Sequence, residues 1–321
     1  MELRQLGSTG LHVSALGLGT LTWGRDTDEL DAAEQIKSFV EAGGSLVDTA
    51  AHYADGDSES VLGHVLANDV DRSDVVVCTK AGLRRTRAGT VVDASRASLL
   101  DSLDESLRRL GTDHVDLFLV QAPDPRTPAA ETVSALRRAV DSGRARYVGL
   151  SNHPGWRTAQ VGTLLAASGD AELAAVEVEY SLLERGVERE VLDCADGLGA
   201  GVLAWSPLGR GVLTGKYRDS LPADSRGASP HLAGFIEPYL DRRSSSIVQA
   251  VATAADGLGR EPLEVALAWL GTRGVASAIV GARTPGQLRA SLAAADLVLP
   301  HAVVGALDEV SAPSLGYPEY R

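Results

Sequence analysis

Ser45-Leu46-Val47-Asp48 and Val75-Val76-Val77-Cys78-Thr79-Lys80 are two short apolar runs of strand composition, each closed by a charge. Between them residues 58–67 form an amphipathic stretch of helix length. Strand, helix, strand is the crossover unit that pairs its strands in parallel. The same alternation extends outward in both directions. Strand candidates fall at residues 14–18, 45–47, 75–79, 115–120, 147–150, 175–178, 202–205 and 278–280. Helix candidates fall at 28–42, 58–67, 95–110, 129–142, 156–167, 187–198 and 284–295. In the third of these, Leu99, Leu100, Leu103, Leu107 and Leu110 recur at three- and four-residue steps and so share one face. Ser58, Ser95 and Thr284 stand as N-cap or first-turn residues, and Gly43, Gly111, Gly143 and Gly199 stand where helices should stop.

Units of this kind, wound the same way, predict an α/β fold of the closed (β/α)8 TIM-barrel type. An open sheet would carry a glycine-rich first turn with an acidic residue near the next strand, and Gly17-Leu18-Gly19 is too short for that. The chain has 321 residues. Barrels of this type commonly run above ~250 residues as one unit, so a single domain over residues 1–321 is expected. Ahead of the first strand, residues 3–7 and 11–13 flank Ser8-Thr9-Gly10, a hairpin placed to plug the bottom of the barrel. After the seventh strand the alternation breaks. Residues 209–235 are rich in Gly, Pro, Ser and Asp, and residues 241–258 and 262–272 read as two extra helices near the C-terminus. A long irregular loop in a compact domain is usually functional.

The totals exclude several classes. With 44% hydrophobic and 23% charged residues, the composition is that of a globular protein, and no apolar run approaches the ~20 residues of a membrane-spanning helix. The start, Met1-Glu2-Leu3-Arg4-Gln5-Leu6-Gly7, has neither the basic nor the apolar region of a secretory signal, so a cytoplasmic location without a membrane partner is expected. A formal net charge of -13 argues against nucleic acid as a partner. Cys78 and Cys194 lie far apart in apolar stretches and read as core residues of a reducing compartment. The seven histidines never pair at helical spacing with each other or with cysteine, so no metal is expected.

In a barrel, catalytic groups sit at the C-terminal ends of the strands. Asp48, Tyr53, Lys80, Gln121, Ser151, Asn152 and Trp205 converge there. Lysine is scarce in this chain, occurring only at Lys37, Lys80 and Lys216, so one that ends a buried strand stands out. An ammonium beside a carboxylate and a phenol lowers the cost of phenolate and fits a tyrosine to proton transfer. The competing reading is a rim tyrosine in water above an Asp48–Lys80 pair that is only structural.

The chain also resembles the aldo-keto reductases, NADPH-dependent carbonyl reductases built on this barrel. The resemblance rests on Asp48-Thr49-Ala50-Ala51-His52-Tyr53, Thr79-Lys80, Ser106-Leu107-Arg108-Arg109-Leu110-Gly111, Gly149-Leu150-Ser151-Asn152, Ser206-Pro207-Leu208-Gly209-Arg210-Gly211, Leu213-Thr214-Gly215-Lys216 and Gly281-Ala282-Arg283. The Ser206-Pro207-Leu208 segment and the long loop after it are similar to the microbial and potassium-channel-β-like branches. The resemblance implies that Tyr53 is the general acid, that Lys80 lowers its pKa with Asp48 holding the ammonium in place, and that NADPH/NADP+ is the cofactor. It places Ser151 and Asn152 on the nicotinamide carboxamide and Trp205 against the ring. It places Leu208, Gly211, Leu213 and Lys216 on a loop over the pyrophosphate, with Lys216 alternatively a solvated charge. Arg283 is implied as the 2′-phosphate contact, favouring NADPH over NADH. Gly19, Thr20, Ser206, Pro207 and Gly281 complete the implied cofactor wall, and Gln287 with Ser291 lies by the adenosine.

Two positions depart from the family pattern. Gln121 stands where the family usually has histidine, and an amide can donate a hydrogen bond but cannot pass a proton. His52 and His153 are candidate substitutes, or simply rim side chains. Glu177 stands where the family usually has glutamine; a carboxylate there would favour the cationic oxidised ring and strengthen the bound hydride donor. Trp23, on the loop after the first strand, is a candidate wall for a small carbonyl substrate, and residues 209–235 and 302–321 are expected to shape the rest of the pocket. The resulting expectation is a reductase of aldehydes or ketones; the alternative is an NADP(H)-binding regulatory or sensor protein with little turnover.

Overall fold

The hairpin expected ahead of the barrel forms from β1 (Leu3–Gln5) and β2 (His12–Ser14), paired antiparallel with Leu3 opposite Ser14. The computed structural model describes residues 1–86, 89–169, 171–217, 233–314 and 316. Along the chain follow β3 (Leu16–Gly19), α1 (Glu29–Glu41), β4 (Leu46–Asp48), α2 (Asp57–Asn68) and β5 (Val76–Ala81). A second hairpin, β6 (Leu83–Thr86) and β7 (Gly89–Val92), precedes α3 (Arg96–Leu110), β8 (Val115–Val120), α4 (Ala129–Asp141), β9 (Ala145–Ser151) and α5 (Gly155–Ala167). The chain continues through β10 (Leu173–Glu179), α6 (Val191–Gly197), β11 (Gly201–Trp205), α7 (Ala233–Ile236), α8 (Arg242–Leu258) and α9 (Pro262–Gly271). It ends with β12 (Ser277–Gly281), α10 (Pro285–Leu292) and α11 (His301–Ser311).

Strands β3, β4, β5, β8, β9, β10, β11 and β12 pair in that order, in parallel, and β12 closes back on β3. A strand with core on both faces reads as a continuous apolar run rather than an alternating one. In β8, Leu117 and Leu119 point into the barrel while Phe118 and Val120 pack outward against the helices. The interior cluster also takes Leu46, Cys78, Leu203 and Ile279, and below them Leu6 and Val13 from the first hairpin. Both hairpin residues are fully buried, so the hairpin fills the N-terminal end of the barrel. Gly149 permits the close approach of β9 to β10, since a Cβ there would collide with the Ala175 carbonyl.

The helix ends follow local chemistry. The Ser95 hydroxyl accepts from the Ser98 N–H, and α3 stops at Gly111 with φ 66°. The β6–β7 ribbon, the short α7 and α11 lie outside the expected elements. The β6–β7 ribbon carries Arg84, Arg85 and Thr90 exposed, so it lacks an apolar alternation, and α11 buries only Leu307 and Ser311. The helix expected at 187–198 is divided into a 3₁₀ turn, Gly186–Arg189, and α6. At the break, the Glu190 carboxylate turns to accept from the Gly155 N–H at the start of α5. Among the described residues no helix is long and apolar enough to cross a membrane.

Candidate active site

At the C-terminal rim the backbone itself is unusual. All five non-glycine residues with positive φ among the described residues, Ala54, Asp55, Asn152, Ser206 and Arg210, follow barrel strands β4, β9 and β11. Left-handed backbone in such residues costs free energy and tends to gather at functional sites. These turns surround a cavity of about 480 Å3.

Lys80 on β5 is fully buried behind the cavity wall. Its Nζ donates to both Asp48 carboxylate oxygens, at 2.6 and 2.7 Å, and to the Thr49 carbonyl at 2.9 Å. The Tyr53 hydroxyl lies 3.5 Å from the same nitrogen, and Glu177 Oε1, reaching in from β10, lies 3.4 Å away. Burial works against the ammonium, but Asp48 and then Glu177 outweigh it and hold Lys80 well above the usual lysine range. Asp48, Cys78 and Glu177 have their polar atoms within 4.8 Å of one another. The two carboxyl groups of that trio face Lys80, a cation the chain supplies itself.

The expected lowering of the Tyr53 pKa does not occur. Burial raises it most, Asp48 and Glu177 raise it further, and Lys80 only partly opposes them. The phenol is therefore held neutral, which is the form that can donate a proton. Glu177 also differs from its expected role. Burial and the neighbouring Asp48 outweigh Lys80 and push its carboxyl up to about 8, so at neutral pH it presents mainly an acid and not a carboxylate. The effect expected of a negative charge against the oxidised ring is thus confined to alkaline pH.

Gln121 follows β8 and lines the cavity with its Oε1 buried and unpartnered; Glu177 Oε2 is in the same condition. Asn152 is the bracket between these parts. Its amide nitrogen donates to the Gln121 carbonyl and the Ser151 hydroxyl, and its Oδ1 accepts from the Trp205 indole at 2.9 Å. That fixes Trp205 as part of the wall. His52 lines the cavity edge-on to Tyr53, 4.9 Å between ring centroids, while His153 bonds the Ser151 carbonyl and stays outside it. Burial lowers both imidazoles to about 4, with Lys80 adding to the effect at His52, so both are neutral imidazoles near neutral pH.

Farther along the wall lie Gly19, Ser206, Pro207, Leu208, Gly211 and Lys216. Gly281, Arg283, Gln287 and Ser291 continue it from β12 into α10. Three expected wall residues lie behind it instead: Thr20 bonds Ser58 and the Asp48 carbonyl, Ser151 is held by Asn152, and Leu213 packs in the core. Trp23 is a correction. It is fully buried, its indole donating to Gln35 of α1 at 3.3 Å, and it forms no part of the cavity. The apolar wall comes from Leu21, Phe235 and Leu263 instead. Phe235 lies near-parallel to Trp205, 6.4 Å between centroids, with the Arg210 guanidinium 4.1 Å over the Phe235 ring and forked onto Glu179. Of the stretches expected to shape the pocket, 218–232, 315 and 317–321 lie outside the described residues, and none of residues 302–314 lines the cavity.

The aldo/keto reductase family model matches residues 15–312. The chain is similar to aldo-keto reductase YhdN of Bacillus subtilis (strain 168), 32% identical over 296 residues that cover 90% of this chain and 87% of that protein. It is also similar to the uncharacterized oxidoreductase YrpG of the same organism, 34% identical over 331 residues, covering 97% and 96% of the two chains. A putative voltage-gated potassium channel subunit beta of Schizosaccharomyces pombe is 31% identical over 320 residues, covering 97% and 93%. Matched from its first barrel strand to its last helix, and relatives included, this (β/α)8 chain belongs to the aldo/keto reductase family and is an oxidoreductase.

Proposed function

We propose that this protein is an NADPH-dependent reductase that converts aldehydes or reactive ketones to alcohols, with Tyr53 as the proton donor. One observation carries the reading: a neutral phenol on the cavity wall with a buried ammonium 3.5 Å behind its oxygen. The acid is present in the form that can give a proton, and a fixed positive charge waits for the anion left behind.

The wall fits a dinucleotide phosphate. In a chain of net charge -13 it gathers Lys216, Arg210 and Arg283. Gly211, at φ 95°, keeps open the space beside Lys216 Nζ that a side chain would fill, so phosphate oxygens can approach backbone there. Arg283 and Gln287 would hold the adenosine end, and Trp205 offers an indole face to the nicotinamide end. When bound, the reduced cofactor supplies hydride to the carbonyl carbon. Gln121 donates a hydrogen bond to the carbonyl oxygen and orients it toward Tyr53 without moving a proton itself. Leu21, Phe235 and Leu263 make the substrate end apolar.

A charged hydrogen bond contributes roughly 1.5–3 kcal/mol. Arg283→Gln is therefore expected to weaken NADPH binding by at least about tenfold and leave NADH unchanged. Tryptophan quenching titrations with both cofactors check this. Equal weakening of the two would remove the 2′-phosphate contact. Gln121, which cannot pass a proton, also favours a second reading, an NADP(H)-binding regulatory protein. It differs from the reductase in having no measurable carbonyl turnover. Oxidation of alcohols faster than reduction of carbonyls would reverse the proposed direction.

A further inference from the structure

Once Tyr53 has given up its proton, the site must restore it, and the neighbours differ in what they can give. The Gln121 amide holds no transferable proton. His52 is a neutral imidazole near neutral pH. Lys80 is an ammonium within 3.5 Å of the phenol, but a lysine left as neutral amine would strand Asp48 as an uncompensated charge in a dry site. Behind Lys80 stands Glu177, 2% exposed, with Oε1 3.4 Å from Nζ and Oε2 buried and unpartnered. Two carboxyl groups and one ammonium share this pocket. Lys80 donates to both oxygens of Asp48 but meets Glu177 through one oxygen alone, and burial with the neighbouring Asp48 raises the Glu177 carboxyl so that it keeps its proton.

We propose that Glu177 is the proton reserve of this site, passing a proton to Lys80 as Lys80 passes one to Tyr53. The inference rests on the reading of Tyr53 as the proton donor. The Tyr53 O–H bond breaks as the alcohol O–H forms; a Lys80 N–H proton then moves to the phenolate, and the Glu177 O–H proton moves to the lysine nitrogen. Tyr53 ends neutral, Lys80 ends as ammonium, and Glu177 ends as a carboxylate facing it. A solvent proton arriving through the cavity, which Glu177 lines, resets the acid. The sequence runs downhill because the Tyr53 phenol is held far less acidic than Glu177. Glu177 acts through Lys80 and is a positioning residue rather than a catalytic one.

The groups facing Glu177 support this assignment. From β4 and β5 it meets Asp48, Lys80 and Cys78, and Tyr53 lies beyond Lys80. Its register partners on β9 and β11 are Ser151 and Leu203, neither of which carries a charge. Burial raises the Cys78 thiol well above its usual range, so its proton is not available.

The test is Glu177→Gln, which keeps shape and removes the proton. Below about 8 the parent holds the acid, and above it kcat for carbonyl reduction is expected to fall about tenfold per pH unit. Glu177→Gln should lose that alkaline limb. An independent readout needs no cofactor. The folded carboxyl titrates at about 8 against an ordinary value of 4.5, so the folded chain binds the extra proton and parent stability falls as pH rises across that window. The Tm of Glu177→Gln relative to the parent should therefore climb between about pH 5 and 8. A retained alkaline limb in Glu177→Gln, or a Tm difference independent of pH, would overturn the proposal. If Tyr53→Phe is inactive in the same assays, that failure belongs to the relay alone; if Tyr53→Phe is fully active, the underlying proton donor is wrong as well.

Discussion

Tyr53→Phe is expected to lower kcat for carbonyl reduction by about 10²–10⁴-fold, the contribution typical of one positioned general acid. The ring stays in place, so NADPH quenching should be unchanged. The size follows from what is left: Gln121 can orient a carbonyl oxygen but has no proton to give, and the His52 ring beside Tyr53 is a neutral imidazole near neutral pH. Steady-state kinetics with a reactive aldehyde, beside a binding titration, separates chemistry from affinity. A variant that reduces the aldehyde at the parent rate would assign the proton to another group.

Lys80→Met is the second change with a large expected effect, and it acts on stability and rate together. The ammonium is wholly buried and bonds both oxygens of Asp48 and the Thr49 carbonyl. Removing one member of a buried ion pair typically costs about 3–5 kcal/mol, because the other is left uncompensated. Here two carboxyl groups would face each other with no cation between them. The variant must bury both protonated, so its deficit should deepen as pH rises. Urea melts at acid and neutral pH measure this. Reduction should also fall, since the phenolate loses its fixed positive neighbour. Adding Asp48→Asn should recover much of the stability and none of the rate. A Lys80→Met protein as stable as the parent would show that the pair is not held in a dry interior.

The barrel was legible because both faces of its strands are buried, which turns them into the apolar runs ending at Asp48 and Lys80. The charges stood out against those runs, so the centre of the site could be read from the chain. What could not be read was set by distant partners. Trp23 follows the first barrel strand as a wall residue would, yet its indole is claimed by Gln35 on α1. Sequence marks only Lys80 as a neighbour that would make Tyr53 more acidic. Burial reverses the direction, helped by Asp48 and then by Glu177, which enters from β10 on the far side of the barrel. Phe235 and Leu263 reach the cavity from segments whose path depends on the packing of α7 and α9, and no local pattern marks them. The β6–β7 ribbon is largely exposed and its sequence carries no apolar period.

The most direct measurement is a single turnover of the unaltered protein. The chain is loaded with one equivalent of NADPH, binding is followed by quenching of tryptophan fluorescence, and a panel of aldehydes and ketones is then mixed in while nicotinamide absorbance is recorded. The expected result is a first-order loss of the reduced-cofactor band with at least one carbonyl, with the alcohol recovered in equal amount. Saturable NADPH binding with no absorbance change against any carbonyl would contradict the reductase and leave a protein that only binds the nucleotide.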